Sequence, residues 1–245
     1  MIFAHSKNYK MKNILLLLLT GLIIISCDST TENTMLVSGN VKGLKKGTIY
    51  LQKIQDTTLV TVDSVQMSGD SNFSLTTELE SPEIYYLYLD KADNSEFNDR
   101  ITFFAEPGVI TINTSWNTFA TKVEISGSET QKKYEEFQKN ISKFNTLGIT
   151  LAQKVELPEI MGNKKAVDSI TTLLNKNNLR TYLYALNYSL HHKNSYIAPY
   201  LALTEVPDAN VIYLDSIYNS LSVEVSNSKY GKKLKEHIAS VKAEK

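Results

Sequence analysis

The sequence KVEISGSETQKKYEEFQKNISKF, residues 122–144, contains the point at which the repeat of apolar residues changes. Up to Ser126 apolar and polar residues mostly alternate, which is the period of a β-strand. After Gly127 apolar residues recur every three or four positions, which is the period of an amphipathic helix. The sequence therefore predicts an α+β protein, with an antiparallel β-sandwich over residues 35–126 and a helical region over residues 127–245.

Upstream of this point, turn residues interrupt β-branched and aromatic segments about every 8–12 residues, as in an antiparallel sandwich or barrel. Alternation from Leu59 to Val65 predicts that Val60 and Val62 face the core and that Val65 lies on the opposite face. Ile84–Leu89 is apolar and aromatic throughout, which indicates a strand covered on both sides. Eight strands are predicted, at residues 35–41, 48–54, 59–65, 73–75, 84–89, 101–104, 109–112 and 122–126.

The first predicted helix runs from about Glu129 to Val155, with Ser128 as its N-cap. Its apolar stripe needs a partner surface, because an exposed stripe of this width would aggregate. Other helices and one face of the sheet are the available cover. The stripe contains Tyr134, Phe137, Ile141, Phe144 and Leu151.

Further helices are predicted downstream. The second follows Gly162, and the asparagines at positions 175, 177 and 178 offer a point at which it can break into two. The N-caps predicted for the remaining helices are Ser195, Asp208 and either Ser226 or Ser228.

An apolar run at residues 14–25 follows Lys10 and Lys12, close to the amino terminus. A membrane-spanning helix takes about 20 residues, so this run is too short to cross a bilayer and has the length of a secretory signal core. A buried core helix ending in an ordinary thiol is the alternative. The order of a cationic start, an apolar core and a small residue before Cys27 favours the signal.

The four residues Ile24-Ile25-Ser26-Cys27 resemble the lipobox of bacterial lipoproteins. The resemblance implies cleavage between Ser26 and Cys27 and acylation of Cys27, for example by palmitate, which would anchor the chain in the cell envelope, at the outer membrane. Residues 1–26 are then the lipoprotein signal peptide. Residues 27–34, which are rich in Ser, Thr and Asn, are the tether.

The charge balance restricts the class of partner. Removal of the signal peptide takes away Lys7, Lys10 and Lys12 and leaves 23 basic against 26 acidic side chains. Nucleic acids and anionic lipid surfaces both need clustered positive charge, so a nucleic-acid partner is not expected. Acylation of Cys27, the one cysteine, would leave no thiol for disulfides, thiolate metal sites or thiol catalysis.

Several short motifs, taken in their order along the chain, resemble those of one family. They are Gly39-Asn40-Val41-Lys42-Gly43-Leu44, Gly47-Thr48-Ile49-Tyr50-Leu51, Val62-Asp63-Ser64, Glu106-Pro107-Gly108-Val109-Ile110, Ile125-Ser126-Gly127-Ser128, Asn194-Ser195-Tyr196-Ile197-Ala198 and Ser228-Lys229-Tyr230-Gly231-Lys232-Lys233-Leu234. The family is a domain of unknown function at the amino terminus of lipoprotein thiol-disulfide oxidoreductases of the TlpA/ResA type.

In that family the helical segment leads into a thioredoxin-like domain with a Cys-x-x-Cys motif, whereas this sequence ends at Lys245 without one. The resemblance implies a β-sandwich with a helical appendage on a lipid anchor. It carries no catalytic residue onto this chain.

Adjacent His191 and His192 are a candidate metal site, because neutral imidazole is a common zinc ligand. Side chains of adjacent helical residues point about 100° apart, and the residues from Lys193 to Tyr196 supply no third ligand. A solvated helix end is the favoured interpretation, since cationic side chains suit the C-terminal dipole. The sequence predicts neither a metal site nor a cofactor.

Two groups of acidic residues are candidates for acid–base catalysis, which in glycosidases uses two carboxyl groups several ångströms apart. They are Glu135 with Glu136, and Asp56 with Asp63. The first group lies among three lysines in the sequence, which is typical of a solvated helix face. No catalytic residue is therefore assigned.

Aromatic residues near the fifth predicted strand are the candidate binding site. Tyr86 and Tyr88 share one strand face and Tyr85 lies on the other, with Trp116 and Phe119 downstream. A groove lined by Tyr86, Tyr88 and Trp116 could accept a peptide or a sugar. Packing in the core or at a sheet edge is the alternative.

Together these features predict a lipid-anchored envelope protein of unknown molecular function that acts as a non-catalytic binding or interaction module. The family resemblance implies a thioredoxin-like envelope protein as a partner. The alternatives are an envelope hydrolase with an unrecognised carboxylate site and a truncated thiol-disulfide oxidoreductase.

Overall fold

Eight β-strands precede seven α-helices in the computed structural model, which describes residues 33–91 and 99–243. The predicted signal peptide, with Ser26 and Cys27, lies outside the described residues. The predicted α+β class is confirmed, because the last strand ends at Ser126 and the first helix begins at Glu129. The strands are β1 (Thr34–Lys42), β2 (Lys46–Gln55), β3 (Thr58–Ser68), β4 (Asn72–Glu78), β5 (Glu83–Lys91), β6 (Asp99–Ala105), β7 (Gly108–Ser115) and β8 (Glu124–Ser126).

The strands form two four-stranded sheets, sheet A with the order β4-β1-β7-β8 and sheet B with the order β3-β2-β5-β6. Strands β1 and β7 run parallel, with Met35 opposite Gly108, which departs from the antiparallel sandwich predicted from the sequence. Alternation within a strand identifies its inner face but does not identify its neighbour. The parallel pair therefore leaves no local signal in the sequence.

The facing sides of the two sheets enclose the first hydrophobic core. On β5 the side chains of Tyr85, Leu87 and Leu89 are fully buried in this core, whereas Tyr86 and Tyr88 point to the opposite face. The strand is thus covered on both sides, as its continuous apolar and aromatic sequence predicts.

A β-bulge in β3 changes which of its residues face this core. The register with β2 shifts between Leu51 and Gln52, so that Val62 has no partner of its own. Val60 is half-buried, and Val62 packs against the core as predicted. Val65 also packs against the core, which contradicts the prediction, because the extra residue reverses the alternation beyond it.

Two long helices, α1 (Glu129–Val155) and α3 (Lys164–His191), pack side by side and are joined through the short α2 (Pro158–Met161). The asparagines do not break α3, because Asn177 is buried and its Nδ2 donates to the Phe144 carbonyl at 2.9 Å. No helix in the described part of the chain has the length and apolar character needed to cross a membrane. The remaining helices are α4 (Ile197–Thr204), α5 (Val211–Ser220), α6 (Val223–Ser226) and α7 (Lys229–Ala243).

Two of the predicted helix caps are wrong. Asn210, and not Asp208, caps α5, since its side chain accepts a hydrogen bond from the Ile212 amide at 3.1 Å. The N-cap residue of α4 is Tyr196, which makes no side-chain cap, so Ser195 does not cap that helix. Several polar residues precede each of these helices, and the sequence does not determine which of them adopts the cap geometry.

The first turn of α1 is bound to the Glu106 carboxylate. One oxygen accepts from Ser128 Oγ at 2.5 Å and from the Thr130 amide at 3.2 Å, and the other accepts from Thr130 Oγ1 at 2.5 Å. Ser128 also caps the helix as predicted, by accepting from the Gln131 amide at 2.9 Å. Because the Gln131 side chain accepts from the Phe104 amide at 2.8 Å, the start of α1 is fixed to sheet B.

The second hydrophobic core lies between the helices and the outer face of sheet B, which contributes Ile84 and Phe104. The predicted stripe of α1 packs here, with Phe137 fully buried and Tyr134 and Phe144 half-buried. The prediction that this stripe needs a partner surface is confirmed. Sheet B therefore has one face in the sandwich core and part of the other under the helices.

Candidate functional site

The part of sheet B that the helices leave open carries a cluster that we call the tyrosine face, which consists of Tyr50, Tyr86, Tyr88 and Arg100. Tyr50 on β2 is directly opposite Tyr88 on β5, and Tyr88 is directly opposite Arg100 on β6. Tyr86 precedes Tyr88 by two residues and shares its face. These side chains point away from the sandwich core, because the intervening residues of β5 fill that core.

The four side chains of the tyrosine face are held in mutual contact. The Arg100 guanidinium carbon lies 5.4 Å from the Tyr86 ring centroid and 5.5 Å from that of Tyr88. The Tyr50 and Tyr88 centroids are 5.8 Å apart, with an angle of 37° between the ring planes. A guanidinium at this distance is attracted by the negative face of the ring, which contributes about 0.5–1 kcal/mol at an exposed site. All three rings are half-buried, and Arg100 is exposed.

The hydroxyl group of Tyr88 is neutral at physiological pH. Burial raises the pKa of Tyr88 and the Asp90 carboxylate raises it further, whereas Arg100 acts in the opposite direction. A protonated phenol donates and accepts hydrogen bonds. The tyrosine face thus offers aromatic surfaces, hydroxyl groups and one guanidinium, which suits the binding of a largely uncharged molecule.

Next to this face, under the helices, lies a second group that we call the covered tyrosine cluster, formed by the half-buried Tyr134, Tyr200 and Tyr230 around Phe104. Ring centroids are 5.8 Å apart for Phe104 and Tyr200, and 5.1 Å for Tyr200 and Tyr230. Burial raises the pKa of all three tyrosines. Tyr86 packs against the same core, so the open and the covered tyrosines are continuous across sheet B.

We expect the free energy of unfolding to fall above about pH 10, where tyrosine ionises in the unfolded chain. The raised pKa values of the covered tyrosine cluster mean that its members stay protonated in the fold. Their contribution to the free energy of unfolding is complete below about pH 10. At higher pH it is lost, by about 1.4 kcal/mol per pH unit for each tyrosine. In Tyr200→Phe, the unfolding free energy should fall less steeply with pH, by the contribution of one tyrosine. Urea unfolding between about pH 9 and pH 11.5 measures this difference. If the unfolding free energy of Tyr200→Phe fell with pH as steeply as that of the wild type, the partial burial of Tyr200 would be contradicted.

Trp116, the third residue of the predicted groove, lies elsewhere. Its indole packs on Gly43, where an added Cβ would come within 2.8 Å of the ring. The Lys91 Nζ is 6.0 Å from the Trp116 ring centroid. Alternation along β5 places Lys91 on the opposite face of the strand from Tyr86 and Tyr88. The structure therefore brings together two of the three predicted groove residues.

The histidines at the end of α3 bind carbonyl groups of their own helix. His191 Nδ1 donates to the Asn187 carbonyl at 2.7 Å, and His192 Nδ1 donates to the Tyr188 carbonyl at 2.8 Å. The His192 ring also stacks on Tyr188, with the centroids 3.9 Å apart. Over residues 33–91 and 99–243, no three His, Cys, Asp or Glu side chains are grouped so as to hold a metal ion.

Two of the acidic side chains considered for catalysis, Asp63 and Glu135, have structural partners. The two oxygens of Asp63 accept from the amides of Ser64 at 2.7 Å and of Thr76 at 2.8 Å, which joins β3 to β4 at the edge of the sandwich. Asp56 lies in the β2–β3 turn, about 20 Å away along the strand, so the two are not a pair at catalytic separation. Glu135 accepts from a side-chain amide of its own helix at 2.8 Å.

A polar cleft of about 480 Å³ lies where β2 and β5 meet the start of α7. In it the buried Glu83 carboxylate contacts Lys229 and, at 3.5 Å, Lys53. Burial by itself lowers the pKa of Lys53, but Tyr85 and Glu83 outweigh it and the pKa is raised overall. Four lysines and four acidic residues line the cleft, so it has no net charge that would attract an ion. We interpret it as an ion-paired joint between sheet B and α7.

Sequence reasoning missed Tyr50 and Arg100. Tyr50 lies between the core residues Ile49 and Leu51, so its outward direction was available from alternation. Arg100 precedes the predicted sixth strand, whereas the observed strand already begins at Asp99. The pairing that places both beside Tyr88 depends on the register of three strands, which no local pattern specifies.

Comparison with known families gives a match over residues 35–134 to a domain of unknown function, DUF4369. No curated protein matches the chain. The matched region begins in β1 and ends in the second turn of α1, so it contains the sandwich, the tyrosine face, Glu106 and the helix start that Glu106 binds. Residues 35–134 are therefore similar to a domain whose function is unknown.

Proposed function

We propose that the chain is a lipid-anchored protein of the cell envelope that acts as a non-catalytic binding module, with the tyrosine face as its binding surface. The observation that carries the proposal is the open arrangement of Tyr50, Tyr88 and Arg100, in contact with one another on sheet B. Tyrosine and arginine are enriched at binding surfaces, because they bury a large area with few rotatable bonds and retain a polar end.

The anchor is supported by the sequence. Acylation of Cys27 would insert hydrocarbon chains into the membrane, and a tether of a few residues would keep the folded body close to it. Two or more acyl chains bind a membrane stably, whereas a single one binds it reversibly.

Cys27→Ala is expected to abolish acylation and to move the protein from the membrane fraction to a soluble or unprocessed form. The measurement is metabolic labelling with an alkyne analogue of palmitate, followed by fractionation of the cells. Ser29→Ala, in the adjacent tether, is the control and should label and fractionate like the wild type. Unchanged labelling and membrane association of Cys27→Ala would contradict the anchor.

Hydroxyl-radical footprinting tests the binding surface. Tyr50 and Tyr88 are expected to be oxidised more slowly in intact cells than in the purified acylated protein, because a bound molecule would cover them. Tyr213, which is 51% exposed on α5, is the internal control and should react equally in both samples. Equal oxidation of Tyr88 in the two samples would contradict a binding role for the face.

Turnover assays separate this proposal from the hydrolase alternative. The binding-module proposal predicts no turnover of ester or glycoside substrates by the purified protein. Turnover that is lost in Glu83→Gln or Glu106→Gln, which replace two of the most enclosed carboxylates, would contradict it.

A second candidate function is association with a separately encoded thioredoxin-like envelope protein, which the family resemblance suggests. The observation that favours it is the far end of the α1–α3 pair, where large apolar side chains are exposed, for example Ile149 at 60% and Met161 at 67%. A thioredoxin-like lipoprotein should then co-purify with the wild type and with Ile212→Glu on α5, but not with Ile149→Glu. Equal recovery with both variants would contradict this role.

A further inference from the structure

We infer that the ligand of the tyrosine face is a glycan, which is bound through the flat faces of its sugar rings. This inference rests on the proposed function of the tyrosine face as a binding surface and adds the chemical class of the ligand.

The aromatic surface of the tyrosine face matches a sugar ring in shape and chemistry. Tyr50 and Tyr88 are cross-strand neighbours on a sheet, and Tyr86 extends the row along β5. The C–H groups on one side of a pyranose ring carry partial positive charge and match the negative faces of aromatic rings. A row of rings on an open sheet accepts successive sugar units, whereas an enclosed apolar pocket would suit a small hydrophobic molecule.

Polar side chains surround the rings of the tyrosine face. The strand register places Ser64 opposite Tyr50, Thr102 opposite Tyr86 and Asp90 on the same face as Tyr88. All three are exposed, and they supply hydroxyl and carboxylate groups beside the aromatic row. Sugar hydroxyls both donate and accept hydrogen bonds, so hydroxyl groups together with a carboxylate acceptor match them.

The central strands and the charge of the face are unfavourable for other ligands. Strands β2 and β5, which carry the three tyrosines, each have a hydrogen-bonded neighbour on both sides, so they offer no free backbone groups with which an extended peptide could pair. Among the described residues, the tyrosine face has one positive side chain, Arg100, and Asp90 beside it is negative, which is too little positive charge for a nucleic acid. A neutral glycan needs neither free backbone groups nor clustered positive charge in order to bind.

Isothermal titration of the purified acylated protein, in a detergent without a sugar headgroup, tests the inference. The probes are cellohexaose, xylohexaose, maltohexaose and chitohexaose, with decaproline as the peptide probe. At least one hexasaccharide should bind saturably, and Tyr88→Ala should weaken that binding at least about fivefold. Tyr88→Phe, which keeps the ring, should retain most of the affinity, and Tyr213→Ala should bind like the wild type. Thermal unfolding of each variant verifies that it is folded.

The outcomes separate this inference from the function on which it rests. Failure of all four hexasaccharides to bind, or binding that Tyr88→Ala does not weaken, would overturn the glycan assignment. Binding of decaproline alone would overturn it in favour of a proline-rich peptide. If Tyr88 is nevertheless protected in the cellular footprint, the binding surface stands and only its ligand class is wrong.

Discussion

Gly127→Ala is expected to destabilise the protein by about 3–5 kcal/mol, or to prevent its recovery in folded form. Gly127 has φ +102°, a conformation that disfavours every residue with a Cβ atom. A Cβ added there would lie 2.0 Å from the Val109 carbonyl oxygen and 3.2 Å from the Ile110 Cα. Both contacts are with the backbone of β7, which cannot move without breaking its pairing with β1 and β8.

The matched control is Gly108→Ala. Gly108 has a similar φ of +110°, but a Cβ at this position meets nothing within 4 Å. Its cost should be the conformational strain alone, about 1–2 kcal/mol. Urea unfolding of both variants separates the strain from the clash, and equal losses of unfolding free energy would contradict the close approach of Gly127 to β7.

Phe137→Ala is expected to cost about 3–5 kcal/mol of unfolding free energy, because it removes a fully buried ring and leaves a cavity. The Phe137 ring stacks on Tyr184 with centroids 5.5 Å apart and an interplanar angle of 16°, and meets Tyr188 edge-on at 5.3 Å. The ring therefore joins α1 to α3 in the second core. Phe137→Asp should unfold the helical region, since a charge there has no partner.

Leu147→Ala on the same helix is the control, because Leu147 is 43% exposed. It should change the unfolding free energy by less than about 1 kcal/mol. Chemical denaturation of the three variants gives the comparison. A Phe137→Asp variant with the stability of the wild type would mean that the stripe of α1 is exposed in solution and that the helices are an arm for a partner.

Much of the fold was predictable from periodicity. The bounds Glu129–Val155 of α1 agree with the prediction because an apolar residue recurs at helical spacing from Tyr134 to Leu151, and because Ser128 has the chemistry of an N-cap. The strand positions were predictable because turn residues separate them. The pairing of β1 with β7 and the bulge at Val62 were not, since both depend on contacts between residues distant in sequence.

The candidate site was predictable only in part, for a related reason. Tyr86 and Tyr88 were identified because they share the outer face of one strand, which alternation alone determines. Tyr50 and Arg100 join them across β2 and β6, and Trp116 is placed at Gly43 by the path of the chain after β7. The sequence thus predicts which residues of one strand share a face. Which residues of neighbouring strands lie beside them depends on the register between the strands.

Sheet B contributes to the stability of the fold and also carries the binding surface that we propose. Its inner face closes the sandwich core, and the part of its outer face with Ile84 and Phe104 supports the helices. The tyrosine face is the remainder of that outer face. Because the sheet is fixed by packing on both sides, its open side chains are held on a rigid base, which reduces the ordering cost of binding.

The most direct test of the central claim is site-specific photocrosslinking in intact cells, with p-benzoylphenylalanine replacing Tyr88 or, as the control, Tyr213. Both positions are aromatic and accessible, but only Tyr88 belongs to the tyrosine face. The account predicts that illumination produces a discrete adduct of higher mass from position 88 and none from position 213. Absence of an adduct at position 88, or the same adduct from both positions, would contradict the claim that the tyrosine face is the binding surface.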